Sequence, residues 1–134
     1  MAYSFDRYDA GKFEAGVWEE FEGGKFKIAR MGNPKYRDAL RRLEKEYRKR
    51  HGEEMSAEHQ DEMHAEAMAI GLLTAWQEIV KRDDKGRPVE VQYSVEDAKA
   101  LLLRDPNLVN FIARKSTELE RFENEDLEEQ AKKQ

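Results

Sequence analysis

Three histidines, His51, His59 and His64, are the first residues to test for chemistry, because imidazole binds metals and carries protons near neutral pH. His59 and His64 are five residues apart, which places them about 140° apart around a helix that turns about 100° per residue. Two histidines that share a metal on one helix face lie about one turn apart. We therefore expect solvated imidazoles here and no metal site.

Other residue types also lack the spacing of a catalytic site. The chain has no cysteine, which excludes thiolate ligands, disulfides and cysteine nucleophiles. Gly23-Gly24 lacks the remainder of a phosphate-binding loop, and Asp83-Asp84-Lys85-Gly86 lacks the spaced acids of a calcium loop. Adjacent carboxylates carry little information where 40% of all residues are charged. We expect no enzyme and no bound cofactor.

Segment 34–50 has a charge opposite to that of the whole molecule. Its net charge is +5, from eight basic and three acidic residues, whereas the whole chain has a net charge of −5. The arginines expected on the charged face of a helix here are Arg37, Arg41, Arg42 and Arg48. Such a face can follow a phosphate backbone, but acidic segments of the same chain, 53–66 and 118–129, are alternative partners. We favour a solvated or protein-pairing face, and a small nucleic-acid-binding regulator is the alternative.

The second candidate surface is apolar. More aromatic and aliphatic residues are present near the two ends of the chain than a thin core needs, and together they could form a groove for an amphipathic helix. The residues that we expect to bind a protein partner, or to support those that do, are Trp18, Phe21, Phe26, Ile28, Tyr36, Leu119 and Phe122.

The elements that position these residues follow from composition and pattern. A chain of 134 residues with 39% apolar residues can form one domain with a small core, and helices suit it because one stripe can be apolar and the rest charged. Two runs rich in aromatic and β-branched residues, 17–22 and 25–30, flank Gly23-Gly24 and predict a β-hairpin. Asn33-Pro34 predicts the start of a helix over 34–50.

Further along the chain, we predict helices over 56–81, over 95–104 and from 106 onward, with an extended run at 89–93. The stripe of Tyr36, Leu40, Leu43 and Tyr47 is expected to face the hairpin, and the apolar part of the 56–81 helix is expected to lie at the centre of the molecule. The predicted fold is mainly α, a bundle of about four helices with the N-terminal hairpin packed on it.

The predicted domain organisation has three parts. Residues 1–15 form an irregular arm, residues 16–122 form a single mostly helical domain, and residues 123–134 form an acidic, frayed tail. The N-terminus lacks the apolar region of a secretory signal, and the longest uncharged apolar stretch, 67–76, is about half of the roughly 20 residues that span a membrane. We expect a soluble protein that does not bind membranes.

The order of the motifs resembles that of the tail assembly chaperones of long-tailed, siphovirus-type bacteriophages. The similar segments are Gly16-Val17-Trp18, 24–30, 33–37, 72–76, the turn at 84–88, Tyr93-Ser94, Leu101-Leu102 and Phe122 with the acidic tail that closes on Ala131-Lys132-Lys133. The resemblance covers about residues 16–133, and it rests on the succession of these segments.

The resemblance implies a small, mostly helical chaperone in the host bacterial cytoplasm. Proteins of this family bind the very long tape-measure protein, keep it soluble and present it while tail-tube subunits polymerise around it. The implied partners are the tape-measure protein and a longer, frameshifted form of the chain itself. A homo-oligomer is also compatible with the separated charges of the sequence.

Overall fold

The computed structural model describes the backbone from residue 16 to residue 132 and the side chains from residue 16 to residue 120. The predicted arm 1–15 lies outside the described residues, so the division into arm, domain and tail stays a prediction. The elements are β1 Val17–Phe21, β2 Gly24–Ile28, α1 Pro34–His51, α2 Ala57–Gly71, β3 Leu73–Gln77, β4 Val80–Arg82, β5 Pro88–Glu90, α3 Val95–Arg104 and α4 Pro106–Lys132.

The fold is a mixed α/β arrangement. Four helices make up more than half of the described residues, which agrees with the predicted number of helices. The described residues also form a three-stranded antiparallel sheet in the order β1-β2-β3 and a separate two-stranded ribbon, β4-β5. The predicted helical bundle is not confirmed, because the sheet takes part in the core together with the helices.

The N-terminal hairpin is confirmed, with its turn one residue earlier than the Gly23-Gly24 pair. Phe21 pairs with Gly24, and the two turn residues, Glu22 and Gly23, have φ values of 49° and 84°. Positive φ at both central residues is the conformation that matches the twist of a tight hairpin. Phe26 and Ile28 face the core from β2 and are 4% and 0% exposed.

The predicted helix over 56–81 is wrong in its second half. The helix α2 ends at Gly71, and the apolar residues that follow form β3, which extends the sheet by pairing with β2. Trp76 lies opposite Phe26, and Leu73 lies opposite Ile28. A short apolar run has the same appearance in a buried helix and in a buried strand, and pairing with the hairpin decides between them here.

The start of α1 is confirmed, because Asn33 caps the helix. Its Oδ1 accepts a hydrogen bond from the backbone N–H of Tyr36 at 3.0 Å, and its Nδ2 donates to the carbonyl oxygens of Arg30 and Gly71 at 2.6 and 3.0 Å. Asn33 is 2% exposed. One buried side chain thus joins the loop after the hairpin, the start of α1 and the end of α2.

The predicted stripe of α1 is its buried side, but it faces α2 more than the hairpin. Leu43 and Tyr47 pack with Met63 and Ala67 of α2. The hairpin is covered elsewhere, because the inner face of the sheet packs on residues from α2, α3 and α4. Gly71 allows the close approach of α1, since a Cβ at this position would lie 2.3 Å from Cα of Tyr36.

Candidate partner-binding surfaces

Two of the three histidines form a stack. The rings of His51 and His59 have centroids 3.6 Å apart with 17° between their planes. The ring nitrogens of stacked imidazoles point along nearly parallel planes, so their lone pairs do not converge on one ion. Across the side chains that the structure describes, no group of three or more potential His, Asp or Glu ligands is arranged to hold a metal.

The predicted partner-binding residues that belong to the three-stranded sheet lie on both of its faces. Trp18 is 43% exposed on the outer face, where it pairs with Lys27 of β2, which in turn pairs with Ala75 of β3. Phe26 and Ile28 lie on the inner face, within the core. A partner can therefore reach Trp18 directly, whereas Phe26 and Ile28 support the sheet from below.

The remaining predicted apolar residues with described side chains, Phe21, Tyr36 and Leu119, are half-buried. The ring of Phe21 lies 4.6 Å from that of Phe111, centroid to centroid. Tyr36 packs between the two apolar clusters, and Leu119 packs against the larger one. The side chain of Phe122 lies outside the described residues. The structure thus brings Phe21 and Leu119 onto the core cluster that contains Phe26 and Ile28, and it places Trp18 apart from them.

A cleft between β4 and α3 has a volume of about 840 Å³. Its apolar lining consists of Trp76, which is 7% exposed, and of the half-buried Ile79, Val91 and Leu101. Exposed residues at its sides are Val80, Lys81, Arg82, Asp97, Ala100 and Arg104. The cleft thus combines an apolar floor with charged sides, which makes it a candidate site for a partner that has both kinds of group.

Buried polar contacts hold the apolar lining of the cleft in place. Nε1 of Trp76 donates to the carbonyl oxygen of Val91 at 2.8 Å, and the ring of Tyr93 meets the indole edge-on at 5.3 Å. The hydroxyl of Tyr93 shares its single proton between the carbonyl oxygens of Ala69, near the end of α2, and Leu73, at the start of β3. Burial raises the pKa of Tyr93, which keeps its hydroxyl protonated and able to donate.

The ribbon β4-β5 forms one wall of the cleft. Its turn is closed by Asp83, whose carboxylate accepts hydrogen bonds from the backbone N–H groups of Lys85 and Arg87, both at 2.9 Å. Val80 and Val89 lie on opposite faces of the ribbon, because Val80 pairs with Glu90 and Val89 with Lys81. Only Val80 of this pair lines the cleft.

The charged face of α1 contains two kinds of arginine. Arg42 forms an ion pair with Glu46, and Arg48 forms ion pairs with Glu44 and Glu53. Arg37 and Arg41 are exposed and form no ion pair with any described residue. Two of the four arginines predicted as one face are therefore neutralised by ion pairs, and the charges of the other two remain available for a partner.

A polar triad connects α1, α2 and α3. Nζ of Lys99 lies 3.1 Å from both the hydroxyl of Tyr47 and Oε1 of Glu66, and that hydroxyl lies 3.3 Å from the same carboxylate oxygen. Desolvation lowers the pKa of Lys99, but the hydrogen bonds to Tyr47 and Glu66 outweigh it, so the pKa is raised overall. The triad orients the three helices relative to one another.

The sequence reasoning missed the cleft. The wall formed by residues 76–82 falls in the segment that the long helix prediction covered and in the turn after it, whereas the opposite wall, α3, was predicted as a helix. One signal was present in the sequence: Val80 and Val89 flank the turn Asp83-Asp84-Lys85-Gly86, which is typical of a hairpin with exposed apolar residues.

Comparison with known proteins identifies the family. Residues 31–133 match the model of the family described as YdaY prophage protein. The chain therefore belongs to the YdaY prophage protein family, and it is phage-derived, as the sequence resemblance implied. No curated protein and no solved structure matches the chain. Within the described part of the chain, none of the helices combines the length and the apolar run of a bilayer span.

Proposed function

We propose that this YdaY-family protein is a phage tail assembly chaperone that binds the tape-measure protein, keeps it soluble and presents it for tail-tube polymerisation. It acts in the host cytoplasm by binding alone, without catalysis. The observation that carries the proposal is the cleft between β4 and α3, beside which Val80 is 60% exposed, the highest value among the large hydrophobic side chains that the structure describes. The phage origin of the family supports it.

The shape and chemistry of the cleft suit an amphipathic helix. A helix that lies in an apolar groove inserts residues spaced at i, i+3 or i+4, and i+7. Trp76, Ile79 and Leu101 provide the apolar surface for such residues. Arg82, on the same ribbon face as Val80, and Arg104 are exposed at the border and form no ion pair with a described residue. Together they outnumber the exposed Asp97 of the same border, so they favour a client helix with acidic flanks.

The expected affinity fits a chaperone that must release its client. A leucine-sized side chain that is fully buried contributes roughly 1.5–3 kcal/mol, so three anchors contribute roughly 5–9 kcal/mol. The loss of translational and rotational freedom on association costs roughly 4 kcal/mol or more of binding free energy. Each site therefore binds weakly, and the incoming tail tube can displace it. Several copies along one client raise the overall avidity.

Two further partners follow from the proposal. A longer, frameshifted form of the chain would carry the same cleft and bind the same client, and a homo-oligomer would present several clefts together. Trp18, exposed on the outer face of the sheet, offers these partners a contact that is separate from the cleft.

The test is co-expression with the tape-measure protein and measurement of how much of it stays soluble and co-purifies. Val80→Glu places a carboxylate at the cleft, and we expect at least a roughly tenfold loss of co-purified client, which corresponds to about 1.4 kcal/mol. Val89→Glu is the matched control, because Val89 is also exposed on the ribbon but does not line the cleft. Both variants should keep the parent's circular dichroism spectrum. Equal client recovery with both variants would contradict the proposal.

A further inference from the structure

A row of four cations runs along the exposed side of α1. Arg37, Arg41, Lys45 and Lys49 are spaced four residues apart, so they are neighbours on the helix surface. At about 100° per residue, the centre of this row is about 180° from the centre of the buried positions 39, 43 and 47. The row therefore points directly away from the rest of the molecule.

The charge of the row is only partly offset by its neighbours, because Asp38, Glu44 and Glu46 lie three residues from Arg41 or Lys49. Glu44 and Glu46 are engaged by Arg48 and Arg42, and none of the four row cations forms an ion pair with a described side chain. Like charges four residues apart destabilise a helix by roughly 0.2–0.5 kcal/mol per pair. The row contains three such pairs in succession, and an anionic ligand would relieve their repulsion.

The composition of the exposed side of α1 indicates which anionic ligand it fits. Apart from Pro34 and His51, every exposed residue of α1 is charged. Protein interfaces need an apolar centre from which charged residues are depleted, and this face offers none. Binding to nucleic acid is dominated by contacts to phosphates and needs no apolar centre. The only tyrosines of α1, Tyr36 and Tyr47, lie on its buried stripe, so stacking on single-stranded bases is not available either.

The geometry points to α1 as a binding site for the phosphate backbone of duplex nucleic acid. The row spans about 18 Å at a rise of about 1.5 Å per residue, which is sufficient to follow several successive phosphates of one strand at about 3.4 Å each along the duplex axis. The row contains no asparagine or glutamine to read adenine. Its arginines and lysines could also read guanine, but the inference assigns them to phosphates, so we expect binding that is independent of sequence and separate from the client cleft of the proposed function.

The experiment measures the fluorescence anisotropy of a labelled DNA duplex as the full chain is added at several salt concentrations. A duplex of about 20 bp is long enough, because α1 covers only about 8 bp. Four phosphate contacts predict a slope of roughly −3.6 in log K against log salt, which is a roughly 150-fold loss of affinity between about 50 and 200 mM salt. Two duplexes of unrelated sequence should bind equally.

The test variant changes all four row cations, Arg37, Arg41, Lys45 and Lys49, to glutamine. Glutamine has a helix propensity close to that of arginine and lysine, and the change removes repulsion, so α1 should remain folded by circular dichroism. The control variant changes the exposed cations Lys25, Lys85, Arg87 and Arg114 to glutamine, which lowers the net charge by the same amount.

We expect the row variant to lose at least roughly 100-fold in affinity at low salt, and the control variant to lose less than roughly fivefold. Absence of duplex binding at low salt would overturn the inference, and so would equal losses in the two variants. Polyglutamate that binds the parent as tightly as the duplex does would also overturn it, because the row would then serve an acidic protein. None of these results bears on client recovery with Val80→Glu.

Discussion

Replacing Gly71 by alanine tests the close packing of α1 on α2. The added Cβ would lie 2.3 Å from Cα of Tyr36, 2.6 Å from its Cβ and 2.7 Å from its backbone nitrogen. Carbon atoms in good contact are about 3.5–4.0 Å apart, so the two helices would have to separate locally by more than about 1 Å. Two of the obstructing atoms belong to the backbone, so rotation of a side chain cannot remove the clash.

The energetic consequence can be worked out from this geometry. Overpacking in a well-packed core costs about 1–3 kcal/mol. A separation of the helices would also weaken the bond from Asn33 to the carbonyl oxygen of Gly71, now 3.0 Å long, and a buried hydrogen bond contributes about 1 kcal/mol. Alanine returns less than about 1 kcal/mol through its helix propensity. We expect Gly71→Ala to lower the free energy of unfolding by about 2–3 kcal/mol.

The assay is urea denaturation followed by circular dichroism and tryptophan fluorescence. Gly86→Ala is a suitable control, because a Cβ at Gly86 has no atom within 4 Å and only its φ of +76° is unfavourable. The free energy of unfolding of the Gly86→Ala control should fall by about 1–2 kcal/mol because of this backbone conformation alone. A Gly71→Ala protein as stable as the parent would refute the inference that α1 and α2 are held at this distance by the absence of a side chain.

Two further predictions concern polar contacts. The pKa of Lys99 is raised above its ordinary value of 10.5. The stabilisation that Lys99 provides is therefore complete below that pH and is lost as the pH rises through the raised pKa. Urea denaturation of the parent and of Lys99→Met across this range should show that their difference in stability disappears. Tyr93→Phe removes the hydroxyl that bonds to Leu73 at 2.9 Å and should lower stability by about 1 kcal/mol. Tyr36→Phe, whose hydroxyl forms no hydrogen bond with a described residue, should leave stability unchanged; equal effects of these two substitutions would contradict the role of Tyr93.

Short sequence patterns correctly predicted the elements whose ends are stabilised by residues at those ends. Asn33, Ser56 and Ser94 accept hydrogen bonds from backbone N–H groups in the first turns of α1, α2 and α3, which is the interaction that makes such residues good caps. The hairpin was predictable for the same reason, since its turn needs a positive φ that glycine provides. These interactions involve residues close in sequence, so the sequence alone contains them.

The third strand could not be predicted in this way. Residues 73–77 form β3 because β2 offers them an edge that is paired nowhere else, and because the Trp76 indole completes the core beneath it. That preference depends on residues almost 50 positions away in the chain. The cleft depends in turn on β3 and β4. Because these strands were predicted as part of a helix over 56–81, the cleft could not be predicted either.

The cleft and the cation row are separate sites, because α3 lies between them and the row is on the side of α1 that faces away from α3. On α3, Lys99 bonds to Tyr47 of α1, whereas Leu101 lines the cleft; two residues along a helix correspond to about 200°, so these contacts lie on opposite sides of α3. The cation row points away from Tyr47 on the far side of α1. Effects at distant sites that share no contacts are additive. A protein that carries both Val80→Glu and the four row substitutions should therefore lose client binding and duplex binding by the same factors as the separate variants. If the row substitutions alone reduced client recovery, the cleft and the row would belong to one binding surface.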